Sequence, residues 1–229
     1  MRTFVIGDIH GAYKALLQCF ERSGFDRHED RLIALGDVCD GYPEIRQSID
    51  ELLKVKHCHY IIGNHDLWAL KWATSGWKED IWLKQGGRAT VESYQGKPMP
   101  QAHLDFLKAA SFWFEDEERV FVHGGFDPEK PISAQDKEKF VWDRTLIYHA
   151  GQINIVNPNY KFSEFKEIYV GHTPTTKFNS LIPLNLCNVW DLDTGAGWGE
   201  KLSIMNVETK EFWQSDLTSG LYPNAVLRR

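Results

Sequence analysis

Five short islands of Gly, Asp, His and Asn lie in order along this chain, each at the end of an apolar stretch. They are Gly7-Asp8-Ile9-His10-Gly11, Gly36-Asp37-Val38-Cys39-Asp40-Gly41, Gly63-Asn64-His65-Asp66, His123-Gly124-Gly125 and Gly171-His172-Thr173. The apolar stretches cover residues 3–6, 32–35, 60–62, 120–122 and 168–170. An α/β sheet sets ligands on one rim in this way, each strand ending where the chain must turn. Together the islands carry enough oxygen and imidazole donors for two metal ions, with one His–Asp pair to spare.

The spacing between islands predicts the frame that holds them. The first half reads βαβαβ: a strand over 3–7, a helix over about 12–23, a strand over 31–35, a helix after Pro43 and a strand over 58–62. Ala12, Leu16 and Phe20 recur at a helical period, and Gly24 ends that helix. Ile45, Ile49, Leu52 and Leu53 line the next one. This alternation implies a parallel sheet with right-handed crossovers. Residues 64–118 break the rhythm, with Trp68, Trp72, Trp77, Trp82 and Trp113 crowded together. Helices are expected there over 66–73, about 88–95 and 101–110. The tryptophans either fill the core of a cap or form an aromatic wall that selects substrates. The second half reads mostly β, with strands near 120–123, 168–171, 189–193, 202–206 and 211–214. Residues 127–135 read as a Pro-containing loop, 151–162 as an Asn-rich connection, and the chain after Ser219 as a tail.

The donors suit hard or borderline cations. Asp8 and His10, two apart in extended backbone, would point to one side and reach one ion. Asp37 has two oxygens and can bridge two ions. Asn64 adds a neutral oxygen, and His123 and His172 add imidazoles. Nitrogen and oxygen donors without thiolate favour manganese, with iron and zinc as alternatives, over a Cys-rich structural zinc site. His65 follows Asn64 and would point away from it in extended backbone, which frees it for acid–base work.

The same islands resemble the calcineurin-like metallophosphoesterases, most closely the small bacterial and phage serine/threonine phosphoprotein phosphatases. The family pattern runs GDxHG, GDxxDRG, GNHE, HGG and GH; here it reads GDIHG, GDVCDG, GNHD, HGG and GHT, in order over residues 3 to about 195. Five motifs in order make a specific match. The resemblance implies an α/β fold with a two-sheet β-sandwich core flanked by helices. It implies one domain over 1–229, with the Trp-rich helical insertion at about 66–118. It assigns Asp8, His10 and Asp37 to one divalent ion, and Asp37, Asn64, His123 and His172 to a second. A metal-bridging hydroxide would then attack phosphorus in line. His65 would protonate the leaving oxygen, oriented by Asp40.

One position departs from the pattern. The family places an arginine directly after the second Asp, where this chain has Gly41, so Asp40-Gly41-Tyr42-Pro43 replaces DRGP. A second family arginine lies in a Trp-x-Arg segment, and Trp142-Asp143-Arg144 carries that phosphate-binding role to Arg144. Asp191-Leu192-Asp193-Thr194-Gly195 resembles a late DTG segment, with Asp193 expected to support the site from behind the ligands. His57, His59 and Cys39 are read as structural.

The expected activity is hydrolysis of phosphomonoesters, in particular phosphoserine and phosphothreonine in proteins, and small phosphoesters in vitro. The alternative is dinucleoside polyphosphate hydrolysis. That class shares GDIHG and GNHD but shows Ala-Arg-Gly in its second motif, where this chain has Cys-Asp-Gly and keeps the partner of His65. A non-catalytic scaffold on the same fold is a further alternative, opposed by the intact ligand set. A net charge of −6 with mixed signs argues against nucleic acid as a partner. No apolar run reaches the ~20 residues of a membrane span. The N-terminus shows no signal peptide, and Cys19, Cys39, Cys58 and Cys187 show no CxxC spacing, so a reduced cytoplasmic protein is expected. The oligomeric state is left open.

Overall fold

The computed structural model describes residues 1–116 and 118–225. Its elements run β1 (Thr3–Ile6), α1 (Tyr13–Ser23), β2 (Arg31–Ala34), α2 (Ile45–Leu52), β3 (His57–Tyr60), α3 (Asn64–Ser75) and α4 (Asp80–Trp82). A π-type turn over Leu83–Gly87 leads into α5 (Arg88–Ser93), followed by α6 (Gln101–Ala109), β4 (Trp113–Asp116) and β5 (Arg119–Val122). Then come α7 (Lys137–Trp142), α8 (Thr145–Val156), β6 (Glu167–Val170), β7 (Leu184–Leu186), β8 (Val189–Asp191), β9 (Ser203–Asn206), β10 (Phe212–Gln214) and α9 (Thr218–Leu221).

These strands form two five-stranded sheets, ordered β10-β9-β1-β2-β3 and β4-β5-β6-β8-β7. Each sheet has a parallel run, β1-β2-β3 at one end of the first and β5-β6-β8 in the middle of the second; antiparallel β9 and β10 extend the first beyond β1, and antiparallel β4 and β7 flank the second. The faces follow from the period of two. Val5 and Ile33 of the first sheet and Phe121 and Tyr169 of the second meet in one buried layer, with Leu192, Met205 and Val207. Their alternates Phe4, Ile6, Leu32 and Ala34 face α1 and α2 through Leu16, Phe20, Ile45 and Ile49. Val120, Val122, Ile168 and Val170 face α7 and α8 through Phe140, Leu146 and Ile147. The sandwich is therefore covered by helices on both outer faces, as expected.

The second half holds the five expected strands and adds β7, but it also carries two helices, α7 and α8, that the sequence reading did not place. The start of the expected Asn-rich connection belongs to α8, whose Leu146, Ile147 and Ala150 are buried against the second sheet. Its helical periodicity is weak, and tertiary packing supplies the stability that propensity does not. Inside the stretch expected to be helical, Trp113–Asp116 is instead the edge strand β4, paired antiparallel with β5. The chain after Ser219 is more than a tail. Tyr222 is buried, stacks on Tyr42, and donates its hydroxyl to Glu44. Residues 226–229 of that expected tail lie outside the described residues.

Candidate dinuclear metal centre

Both parallel strand sets end on one rim, and every island sits at such an end. Asp8 and His10 follow β1, Asp37 follows β2, and Asn64 and His65 open α3 just after β3. His123 follows β5, His172 follows β6, and Asp193 follows β8. All are buried. The backbone reason differs from the extended geometry expected. β1 ends at Ile6, and His10 has φ 50°. Asp37, Asp40 and His172 also take left-handed φ, at 51°, 66° and 66°. This conformation costs a non-Gly residue roughly 1–2 kcal/mol. His65 likewise turns away from extended backbone, in the first turn of α3.

Two sets of donor atoms converge. Donor atoms of Asp8, His10 and Asp37 lie within 4.8 Å of one another, and so do those of Asp37, His123 and His172. Asp37 belongs to both. Asn64 joins the second set, its Oδ1 3.0 Å from His123 Nε2. The ring orientations are fixed from behind. His10 Nδ1 donates to the Cys39 carbonyl at 3.0 Å and His123 Nδ1 to the Leu35 carbonyl at 2.8 Å, which turns each Nε2 toward the carboxylates. A backbone acceptor behind the imidazole is the usual support of a metal-binding histidine. The glycines of the islands permit this crowding. A Cβ on Gly63 would lie 2.0 Å from Asp37 Oδ1, and one on Gly171 would lie 2.3 Å from Asp8 Oδ1.

The electrostatics fit a site for a cation. His172 Nε2 is buried and has no hydrogen-bond partner among the described residues. Burial, then the charges of His123 and Arg144, push that imidazole down to about 2, so it is a neutral donor. Burial also acts against a charged His123, yet Asp37 and then Asp8 outweigh it and hold the ring up at about 10. The two acids around it thus favour positive charge at this point. Burial and the neighbouring Asp193 push the Asp8 carboxyl well above the usual range. This cage of buried carboxylates, an amide oxygen and imidazole nitrogens is the donor chemistry of Mn, Fe or Zn.

Beside the cage stands a His–Asp pair. His65 Nδ1 lies 2.7 Å from Asp40 Oδ2, with Asp40 fully buried. His65 borders a cavity of about 440 Å³ shared with Asp8, His10, Asp37, Asn64 and His172. Aromatic rings frame its mouth. Trp68 meets His65 edge-to-face at 5.1 Å and Trp142 at 5.2 Å, and Trp142 meets His172 at 6.1 Å. Trp198 also lines the cavity. Of the five tryptophans singled out in the sequence, only Trp68 lines it. Trp72 and Trp82 are buried in the first-sheet core, Trp77 stacks on Trp82, and Trp113 stacks on Phe140.

Arg144 does line the cavity, just before α8, with Nη2 3.4 Å from the His172 carbonyl. Lys177 is a second lining cation that the sequence reading missed. It stands in a short 3₁₀ turn with no motif to flag it. Asp66 was missed too, although it lies inside an island. It is fully buried, and its Oδ2 accepts from Asp37 N at 2.9 Å, Gly63 N at 2.9 Å and the Tyr60 hydroxyl at 2.7 Å. Its Oδ1 accepts from Cys39 N at 3.1 Å. Asp66 therefore ties the second and third islands together. Asp193 borders the cavity behind Asp8 and accepts from Gly195 N. His57 and His59 lie on β3 away from the rim, with His59 stacked on Phe114. Gly41 has φ 97°, a conformation that disfavours any side chain in its place.

A profile of the calcineurin-like phosphoesterases matches residues 1–194, so the chain belongs to that family of metal-dependent phosphoester hydrolases. Among its relatives is a symmetrical bis(5'-nucleosyl)-tetraphosphatase of Neisseria meningitidis, 25% identical over 96% of this chain and 98% of the relative. Another is serine/threonine-protein phosphatase 1 of Salmonella typhimurium, 25% identical over 90% of this chain and 91% of the relative. The crystal structure of a candidate diadenosine tetraphosphatase superposes with a TM-score of 0.72 at 16% identity, covering 93% of this chain and 92% of that one. That likeness bears on the fold alone. No helix among the described residues is long and apolar enough to cross a membrane.

Proposed function

We propose that this chain is a dinuclear metal-dependent phosphomonoesterase acting on phosphoserine and phosphothreonine in proteins. The observation that carries this reading is the His65–Asp40 pair, 2.7 Å apart at the edge of the two donor sets. Asp8, His10 and Asp37 would hold one ion; Asp37, Asn64, His123 and His172 would hold the other. When bound, two divalent ions supply Lewis-acid stabilisation of the phosphoryl charge and of the attacking oxygen. Manganese is the ion proposed, with iron or zinc as alternatives.

The chain's own residues do the rest. Arg144 clamps a phosphoryl oxygen from the cavity wall. A water that has given one proton to solvent supplies the hydroxide oxygen that replaces the alkoxide on phosphorus, and the ester P–O bond breaks. The leaving oxygen takes a proton from His65 Nε2, while Nδ1 stays donated to Asp40, and His65 regains its proton from solvent after the turnover. A serine alkoxide is a poor leaving group and needs that proton. A nucleotide leaving group is far less basic and gains less from it. Retention of the oriented pair therefore favours a monoester of an alcohol.

A second reading is hydrolysis of dinucleoside polyphosphates. It is supported by the Neisseria relative and by Trp142 and Trp198, 43% and 45% exposed at the cavity mouth, where a base can stack. The test is one panel: phosphoserine and phosphothreonine peptides, aryl phosphates and a dinucleoside tetraphosphate, each given to metal-free protein reloaded with Mn. Turnover of the phosphopeptides at kcat/KM above that of the dinucleotide is expected. Turnover of the dinucleotide alone would replace the first reading with the second.

A further inference from the structure

We infer that Trp82 and Thr90, from the segment between α3 and α6, are positioning residues that aim His65 by fixing the carboxylate of Asp40. The inference rests on the reading of His65 as the acid. Asp40 Oδ2 takes two donors, His65 Nδ1 at 2.7 Å and Trp82 Nε1 at 2.8 Å. Its Oδ1 takes the Thr90 hydroxyl at 2.6 Å. The same hydroxyl accepts from the Asp40 backbone N at 3.0 Å. Thr90 thus spends both its donor and an acceptor on one residue fifty positions away in sequence. The indole has a single donor and no acceptor, and that donor also goes to Asp40. Trp82, Thr90 and Asp40 are fully buried, so water does not compete for these bonds.

The surrounding backbone is arranged to hold this clamp. Asp40 sits at φ 66°, a conformation it keeps only where neighbours over-determine it. The next residue, Gly41, donates its N–H to the Gly86 carbonyl at 3.2 Å, from the same segment. Gly86 has φ 106°, and a Cβ on Gly87 would lie 2.4 Å from the Trp82 ring. The Gly86-Gly87 pair therefore lets the chain close over the indole and then start α5, which carries Thr90. A carboxylate with one partner swings about its terminal torsion and takes the imidazole with it. Three donors from separate elements stop that swing and hold Nε2 toward the cavity.

This function is separable from plain packing. A core role for Thr90 or Trp82 would affect all substrates alike. A role through His65 affects a substrate in proportion to its need for a proton. The variants are T90V, T90S, W82F, H65N and the double T90V/H65N, each loaded with Mn and checked for metal content and unfolding midpoint. Each is assayed on a phosphoserine peptide and on p-nitrophenyl phosphate. T90V and W82F should lower kcat on the peptide by about tenfold, the usual size for a residue supporting a site from behind. On the activated aryl ester the loss should be about twofold or less. Metal content should match the parent, and T90S, which keeps the hydroxyl, should recover most of the T90V loss. In the H65N background T90V should cost nothing further. Equal losses on both substrates, or a T90V loss that multiplies with that of H65N, overturn the inference. If H65N itself shows no leaving-group dependence, the acid reading falls. If H65N shows it and neither T90V nor W82F does, the positioning inference falls alone.

Discussion

Replacing Asp66 by Asn keeps the shape of the side chain and tests whether the two central islands are held together by charge. Burial, then the charge of Asp37, push the Asp66 carboxyl up to about 6. At pH 8 the group is therefore a carboxylate, and four donors point at it: Asp37 N, Gly63 N, Cys39 N and the Tyr60 hydroxyl. An amide has one oxygen. Placed where Oδ2 stands, it keeps three of these bonds in weaker neutral form, and its NH₂ meets the Cys39 N–H head-on. The opposite flip strands three donors instead. Bonds to a charged group are worth about 1.5–3 kcal/mol against about 0.5–1.5 for neutral ones, and an unsatisfied buried donor costs about 1–3 kcal/mol. Against roughly 4 kcal/mol of weakened and lost bonding stands the cost of burying the charge, roughly 3 kcal/mol for a carboxyl raised to about 6, which Asn relieves, so D66N should lose about 1 kcal/mol net. Urea unfolding of metal-free protein at pH 8 measures this. The same substitution loosens Asp37 N, so affinity for Mn should fall about 10–100-fold by calorimetry. A D66N midpoint within error of the parent would refute the reasoning, because it would mean that the donors find other acceptors.

Four further outcomes are expected. D37N removes charge from the one residue shared by both donor sets, so bound Mn should drop from two ions to one or none by elemental analysis, with activity lost in parallel; two retained ions at normal turnover would rule out the bridge. R144A should lower kcat/KM about ten- to a hundredfold, as expected for loss of one charge-assisted contact of about 1.5–3 kcal/mol, with metal content unchanged. G41R should not restore that loss and should lower stability by about 1–2 kcal/mol in thermal melts, because φ at Gly41 is 97°. Glu51 is buried, and burial alone would raise its carboxyl, but Lys54 and Arg27 hold it below the usual range. A depressed carboxyl stabilises above its unfolded pKa and loses that contribution as pH falls through its folded one. E51Q should therefore cost about 1 kcal/mol at pH 7 and progressively less below about pH 4.5, followed by denaturation at each pH.

The rim was legible in the sequence because strand ends and metal donors announce themselves locally. Asp8, His10, Asp37, Asn64, His65, His123 and His172 each follow an apolar run with glycine beside them, and all seven border or enter one cage. The layer order was legible for the same reason, since Val5, Ile33, Phe121 and Tyr169 alternate with outward residues. What failed to show depends on contacts distant in sequence. Trp82 and Thr90 look like filler in a Trp-rich stretch until the fold brings them to Asp40. α8 holds Ile, Val and a mid-helix glycine, and becomes a helix because Leu146, Ile147 and Ala150 have a sheet to cover. β7 is only three residues long and needs β8 beside it to exist.

The two kinds of side chain around the cavity come from different parts of the chain path. The donor atoms belong to the turns directly after strands. The rest of the wall, Trp68, Gln85, Trp142, Arg144, Lys177 and Trp198, comes from the helices and loops that connect one strand to the next. Such connections run on the surface and tolerate insertion and exchange far better than strand ends do. A lineage with this fold can therefore lengthen, shorten or recompose a crossover and change which molecule fits, while the ion-binding rim inherits its geometry unchanged. Among the described residues, the 80–93 segment has less of that freedom, because it touches both the mouth, through Gln85, and the carboxylate that aims His65. Substrate range can drift readily at Trp142 or Lys177, and drift in the 80–93 segment must answer to rate as well.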